Sequence, residues 1–409
     1  MREHYYFDNA ATTWPKPEVV YQKMDRFLRR FGVNPGRGGH ELAVEAERMI
    51  SETRRLLAAF LGFSGSPQRV VFTQNVTDSL NIALFGLLRP GDHLITSRVE
   101  HNSVVRPANH LARDHGVEVT WLEADEQGYL DPDALRAALR PNTRMVTVTH
   151  ASNVLGAVQD IDAIGAMVAD TDAYFVVDTA QTAGVLDVDM ERAHIDVLAF
   201  TGHKGLFGPM GIGGMIVAEG VAIRPHRFGG TGVDSIEPFQ PENYPHRLEA
   251  GTVNVPGIAG LNAAQHWFAE LGKAQRGVSD RSGHSHSEVT RFALAHIQAK
   301  ELAHTRTLIE CFGAMRGVTV YGPRPDRPRV ATMAINIDGI PATQAGEMLD
   351  ADHHVCVRAG LHCAPLVHED RGTVAREGAI RIAPGYFTDD EDIRQLIAGV
   401  ADIAGVPIA

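Results

Sequence analysis

The chain has 409 residues, 44% hydrophobic and 22% charged, with a formal net charge of −12; this length predicts about two or three domains with a sizeable core. The acidic balance opposes nonspecific binding to nucleic acid or anionic lipid, so a phosphate would be held locally by shaped backbone and a few side chains. No uninterrupted apolar run reaches membrane-spanning length and the N-terminus has no signal-peptide core, which predicts a cytoplasmic enzyme that uses no membrane.

In chain order, 6–13 is extended, and Val20, Met24, Phe27, Leu28 and Phe31 then keep helical spacing. Residues 34–40, Asn-Pro-Gly-Arg-Gly-Gly-His, hold too much glycine and proline for a helix and read equally as a ligand-approaching loop or a plain connector. Ala46, Met49, Ile50, Thr53, Leu57 and Phe60 mark one long amphipathic helix from Leu42, stopped by Gly62. An α/β alternation follows: a strand at 70–73, a turn rich in helix-capping residues at 74–79, and a helix at 80–88 stopped by Pro90 and Gly91. Such a turn aims free N–H groups above the sheet, where Thr77 can add its hydroxyl to a phosphate; capping alone also accounts for Thr, Asp and Ser here.

Strands at 93–96, 145–149 and 173–178 lead into His101, Asn153 and Asp178, with Gln181 three residues beyond the last. His101 reads as a surface histidine, an aromatic plate against a planar cofactor, or a proton donor. Asp178 reads as a helix cap or as a site carboxylate. The run Asp196-Val-Leu-Ala-Phe-Thr-Gly-His-Lys204 is a buried strand that delivers one amine into a glycine-rich turn. A solvated loop lysine is the bland reading; a desolvated one has a lowered pKa and becomes a nucleophile. The glycines at 208–214 are not a dinucleotide fingerprint, because they follow the lysine and open a strand-like 215–218. Thr77, His101, Asn153, Asp178 and Lys204 thus all fall at carboxyl ends of strands, the edge where open α/β sheets bind ligands.

The region 221–257 is loop-rich, and helical periodicity returns at 258–271 and 289–315, broken by the polar stretch 277–286. Strands at 329–336 and 378–383 surround helices at 342–349 and 389–403, the latter capped by Thr388. The expected architecture is an α/β fold. A large domain, 15–275, carries a mostly parallel central sheet, and residues 1–14 with 276–409 form a small α+β domain.

Three cysteines are too few and odd in number for a disulfide framework. His353, His354, Cys356, His362, Cys363 and His368 crowd one window, but their irregular spacing lacks the paired pattern of a metal site, and no metal is expected. Cys356, in the alternating Val355-Cys-Val357, and Cys311, inside a helix, read as packing. Cys363 lies on a loop flanked by glycine and proline, where a thiol is mobile and near cations, and its thiolate reads as a nucleophile.

The groups at the sheet edge suit pyridoxal 5'-phosphate. Lys204 would bond the aldehyde, Asp178 would keep the ring nitrogen protonated and His101 would stack on the ring. Gln181 would hydrogen-bond the ring oxygen, with Thr77, Thr201 and His203 on the phosphate.

The chain resembles the class V, fold type I pyridoxal-phosphate enzymes, and within them the cysteine desulfurases and selenocysteine lyases. The resemblance runs nearly end to end, through Phe7-Asp-Asn-Ala-Ala11, Glu100-His-Asn102, His150-Ala-Ser-Asn-Val-Leu-Gly156, Val177-Asp-Thr-Ala-Gln181, Thr201-Gly-His-Lys204, Phe207-Gly-Pro-Met-Gly-Ile-Gly213, Leu248-Glu-Ala-Gly-Thr252 and Arg358-Ala-Gly-Leu-His-Cys-Ala364. It departs from the family's Arg-x-Gly-His-His-Cys-Ala at Leu361, and Pro365 follows Ala364 directly.

The resemblance implies conversion of L-cysteine to L-alanine, with Lys204, His101 and Cys363 catalytic and the sulfur left as a persulfide on Cys363. It also implies that Arg381, with Asn153 and Arg358, binds the substrate carboxylate, that Asn153 borders the cofactor, and that Thr252 reaches the partner's phosphate in a homodimer. A sulfur-acceptor protein is an implied partner. L-selenocysteine lyase, or a class V aminotransferase or epimerase that does not use the thiol, is the alternative activity, and a silent scaffold the alternative class.

Overall fold

The computed structural model describes residues 4–35, 39–233, 235–277 and 283–407. Residues 36–38 of the expected 34–40 loop and 278–282 of the expected 277–286 break lie outside the described residues. The short strand β1 (Tyr5–Tyr6) precedes helices α1 (Glu18–Arg30) and α2 (Glu41–Phe60). Strands β2 (Val70–Thr73), β3 (His93–Ser97), β4 (Glu118–Leu122), β5 (Thr143–Thr149), β6 (Tyr174–Asp178), β7 (Val197–Thr201) and β8 (Gly213–Val217) form one sheet, ordered β2-β8-β7-β6-β5-β3-β4. From β7 to β4 every neighbouring pair is parallel, while β8 runs antiparallel to β7 and β2. The connections β2 to β6 pass through α3 (Val76–Leu87), α4 (Asn102–His115), α5 (Pro132–Ala138) and α6 (Ile161–Ala169), the crossovers that parallel strands require.

Because helices cover both faces, the central strands are unbroken apolar runs rather than alternating ones. Val146, Val148, Phe175, Val177, Leu198 and Phe200 enter one core with residues of α1, α2, α6 and two later helices, α7 (Val255–Arg276) and α8 (His286–Ala314). Met145, Val176, Val197 and Ala199 enter the other, against α3 and α4. Helices α7 and α8 approach closely where Gly272 faces Val289: a Cβ there would lie 1.8 Å from the Val289 carbonyl oxygen.

The C-terminal part holds β9 (Val318–Tyr321), β10 (Met333–Ile337), β11 (Val355–Cys356), β12 (Arg358–Gly360) and β13 (Ala379–Ile382), with α9 (Ala342–His353), α10 (Pro365–Asp370) and α11 (Asp390–Ile403). An antiparallel sheet orders them β12-β13-β10-β9, and β11 pairs in parallel with β1. Helix α8 serves two cores. Ala293, Leu294 and Ile297 join the large-sheet core, while Leu308 and Phe312 join the core of the antiparallel sheet.

Three local expectations shift. The helix expected at 80–88 begins at Val76, because Asn75 caps it by accepting from the Asp78 N–H at 3.0 Å. The strand expected from 329 begins at Met333, since the guanidinium of Arg329 is buried against the carbonyls of Pro323 and Thr332. Helix α11 is capped by Asp389, not Thr388, whose hydroxyl instead accepts from the Gly385 N–H at 2.9 Å. No helix among the described residues is long and apolar enough to cross a membrane.

Candidate active site

Lys204 follows the end of β7, half-buried, in a turn locked from both sides. Its carbonyl accepts from the Thr13 hydroxyl at 3.0 Å and the Phe207 N–H at 2.8 Å. The Phe207 ring is anchored in an aromatic cluster, 5.0 Å from Trp267 and 5.9 Å from Phe268. Gly184 closes the turn from beneath with φ +90°; a Cβ there would lie 2.2 Å from the Gly205 carbonyl oxygen. Burial lowers the Lys204 amine to about 8; Asp178 pulls it up, Arg381 down, and Asp8 and Cys363 up.

Asp178 ends the neighbouring strand β6 and is buried, one oxygen accepting from the Ala180 N–H at 2.8 Å. Burial raises its pKa, against that hydrogen bond and the Lys204 charge. His101 caps α4: its Nδ1 accepts from the Ser103 N–H at 3.0 Å, which leaves the proton on Nε2. Burial, followed by Lys204, Arg381 and Arg106, drives the ring down to about 4, so it is neutral at pH 7. Gln181 donates to the Ala10 carbonyl at 3.1 Å. In the lysine turn, Thr201 Oγ1 and His203 Nδ1 are buried without a hydrogen-bond partner. Thr77 is exposed in the first turn of α3, beside Asn75, and Gly213 approaches so closely that a Cβ would lie 2.7 Å from the Asn75 Cα.

Cys363 is exposed on a loop tied to this same edge. Its carbonyl accepts from the Asn102 N–H at 2.6 Å, one residue after His101, and the Asn153 amide donates to the His362 carbonyl at 2.7 Å. His362 and Cys363 both have positive φ, +51° and +55°, which costs non-glycine residues about 1 kcal/mol or more each and needs surrounding ties to persist. His362 supplies them: Nε2 donates to the Arg358 carbonyl at 3.0 Å, and Nδ1 lies 3.3 Å from His368 Nε2. His368 in turn meets the Thr373 hydroxyl at 2.8 Å. Burial holds both rings down, His362 to about 3 and His368 to about 4, so the pair is neutral and takes part in hydrogen bonding to the chain. Among the described residues, ligand atoms spaced for a metal belong elsewhere, to His4, Asp350 and Cys356. Cys356 is half-buried rather than core, and Cys311 lies in α8.

Arg381 is buried on β13, its guanidinium donating to Asp8 at 2.8 Å and to the Asn153 carbonyl at 3.2 Å, with Nε buried and unpartnered. Arg358 is exposed and clasps the same Asp8 carboxylate, at 2.8 and 3.0 Å. Thr252 is apart from these groups: it is exposed and lines a groove with Arg48, Arg55 and His246 that Lys204 does not line. Its loop is fixed by Glu249, which receives two hydrogen bonds of 2.8 Å from Arg54 and one of 2.7 Å from the Phe72 N–H.

Asp8, Glu100 and Lys16 are site residues that sequence reasoning missed. Glu100 is fully buried, with Oε1 accepting from the Ser97 hydroxyl at 2.6 Å and the Thr149 N–H at 2.9 Å; burial raises it to about 8. The available signal was charge inside the quoted motifs, an Asp in Phe7-Asp-Asn and a Glu before His101.

The family described as Aminotransferase class-V matches residues 5–288 and 284–396. A probable cysteine desulfurase of Methanothermobacter thermautotrophicus is 32% identical over 99% of this chain and 96% of its own length. Among solved structures, the apo cysteine desulfurase of Thermococcus onnurineus NA1 superposes with a TM-score of 0.87 at 29% identity, covering 98% of this chain and 95% of that one. The cysteine desulfurase CsdA of Escherichia coli, as the S-sulfonic acid, gives 0.82 at 25% identity, covering 98% and 94%. With the motifs distributed along the whole length and the fold shared throughout, the chain belongs to the class-V aminotransferase family.

Proposed function

We propose that this protein is a pyridoxal-phosphate-dependent cysteine desulfurase that converts L-cysteine to L-alanine and leaves the sulfur as a persulfide on Cys363. The observation that carries the reading is the tie between the thiol loop and the lysine edge: Asn102, next to His101, donates to the Cys363 carbonyl at 2.6 Å, and Asn153 donates to the His362 carbonyl at 2.7 Å. The relatives named cysteine desulfurase support the same chemistry.

The donor set fits the cofactor. Thr201 Oγ1 and His203 Nδ1 are buried polar atoms without a partner; the hydroxyl, and the imidazole in its Nδ1–H tautomer, would donate to the oxygens of a phosphate ester. Thr77 at the N-terminus of α3 joins them, and Gln181 serves the ring oxygen. When bound, pyridoxal phosphate supplies an aldehyde and a sink for the electrons of the α-carbon.

Around it, the residues divide the work. The lowered pKa of Lys204 makes its amine a nucleophile and, once free, the base that takes the α-proton. Asp178 would keep a proton on the ring nitrogen of the bound cofactor, and neutral His101, with Nε2–H available to donate, would lie against the ring. Arg381, with Asn153 and Arg358, receives the substrate carboxylate in a fork suited to it. Cys363 Sγ, as the thiolate, then attacks the substrate sulfur; the S–S bond forms as the C–S bond breaks, and the C–S electron pair stays with the substrate β-carbon, which takes up a proton to become the methyl group of alanine. Thr252, remote from its own Lys204, serves the partner's phosphate in a homodimer. The same proposal divides the chain into 15–275 and a smaller unit of 1–14 with 276–409, supported by the pairing of β1 with β11. A sulfur-acceptor protein would discharge the exposed Cys363.

The test is alanine released from L-cysteine by the purified protein and by Cys363→Ser. Alanine from the parent and none from the variant is expected. Alanine from neither would sink the desulfurase reading, and selenide from L-selenocysteine that survives in the variant would favour the lyase.

A further inference from the structure

Residues 12–16 crowd donors onto the His203 carbonyl of the lysine turn, while the Thr13 hydroxyl is shared with the Lys204 carbonyl at 3.0 Å. The His203 carbonyl accepts from the Thr12 hydroxyl at 3.0 Å, the Thr13 N–H at 3.1 Å, the Thr13 hydroxyl at 3.3 Å and Lys16 Nζ at 2.6 Å. A carbonyl oxygen offers two lone pairs. Lys16 Nζ also donates to Thr13 Oγ1 at 2.7 Å, and among the described residues no carboxylate pairs with it. In the same turn, Thr201 Oγ1 and His203 Nδ1 are buried with nothing to bond.

An ammonium taken out of water without a counter-charge is unfavourable, and burial alone holds Lys16 down to about 7. Its field reaches the turn, since Lys16 is one of the charges that push the His203 ring down to about 4. This corner has hydroxyls, an imidazole and a cation, and among the described residues no carboxylate acts on Lys16 or on His203. Proteins retain such an arrangement where a ligand anion completes it.

We propose that Lys16 belongs to the anion-holding end of the cofactor site and supplies positive charge to the phosphate ester gathered by Thr201 and His203. The proposal rests on the pyridoxal-phosphate reading given above. It assigns to the N-terminal stretch a part in ligand binding as well as in shaping the turn.

Binding of pyridoxamine 5'-phosphate and of pyridoxamine to the cofactor-free protein, followed by calorimetry, separates the alternatives, because neither probe carries the aldehyde that Lys204 would bond. Lys16→Met should weaken the phosphate-bearing probe about tenfold or more and leave pyridoxamine nearly unchanged. Lys16→Gln, which can still donate to the His203 carbonyl, should show the same selective loss, and Lys16→Arg should restore most of the affinity. Equal losses for both probes would make Lys16 a structural prop, and unchanged affinity for the phosphate probe would put the anion elsewhere; either overturns the proposal alone. A parent protein that binds neither probe would overturn the cofactor reading with it.

Discussion

Asp8 accepts from the buried guanidinium of Arg381 at 2.8 Å, and the same carboxylate holds Arg358 at 2.8 Å. One acid near the N-terminus thereby orients two cations from the antiparallel sheet and raises the pKa of Lys204. Asp8→Asn keeps the shape and removes the charge. The pH midpoint for acetylation of Lys204 in the cofactor-free protein, read by mass spectrometry, should move to lower pH. A midpoint that rises would contradict the electrostatic account.

Asn153 ties the thiol loop to the parallel sheet through the 2.7 Å hydrogen bond to the His362 carbonyl. Asn153→Ala should free a loop whose two positive-φ residues are unfavourable without that tie. Alkylation of Cys363 should become faster while alanine formation falls, by about tenfold. Slower alkylation would mean that the tie exposes the thiol rather than restraining it.

Arg54 and Glu249 form a buried bidentate pair, each side chain 6% exposed, with Arg54 4.5 Å over the Phe72 ring. Glu249→Ala leaves Arg54 buried and unpaired, and urea unfolding should show a loss of about 3–5 kcal/mol. Replacing both by methionine should recover much of it. A single variant as stable as the parent would refute the burial argument.

Glu100 carries a pH signature. Its pKa is raised to about 8 by burial in the folded state, whereas an unfolded Glu titrates near about 4.3. The folded form therefore binds the extra proton between these values, so the contribution to stability is complete below the unfolded pKa and is lost as pH rises through about 8. Glu100→Gln should remove this dependence: relative to the variant, the parent should lose up to about 1.4 kcal/mol per pH unit across that window. Parallel stability curves would show that Glu100 is ionised in the folded protein.

The sequence by itself determined the local chemistry. The apolar runs ending in Asp178 and Lys204 read as buried strands of a parallel sheet, because a strand covered on both faces has no use for alternation and the runs are short and bounded by turn residues. Cys363 was separable from Cys311 and Cys356 because a glycine and a proline punctuate the chain on either side of it, and in the fold Gly360 ends β12 while Pro365 opens α10. Capping was less legible: Asn75 and Asp389 displaced the expected boundaries because several polar residues compete at each helix start. Only the tertiary structure decided which distant charges meet. Asp8 and Arg381 are separated by 373 residues and Arg54 and Glu249 by 195. The histidines of the thiol window became a hydrogen-bonded pair that holds a strained loop, and Lys16 became the cation under the lysine turn. Propensity and periodicity report on neighbours in the chain, whereas a buried charge is defined by the partners and the dielectric that folding brings to it.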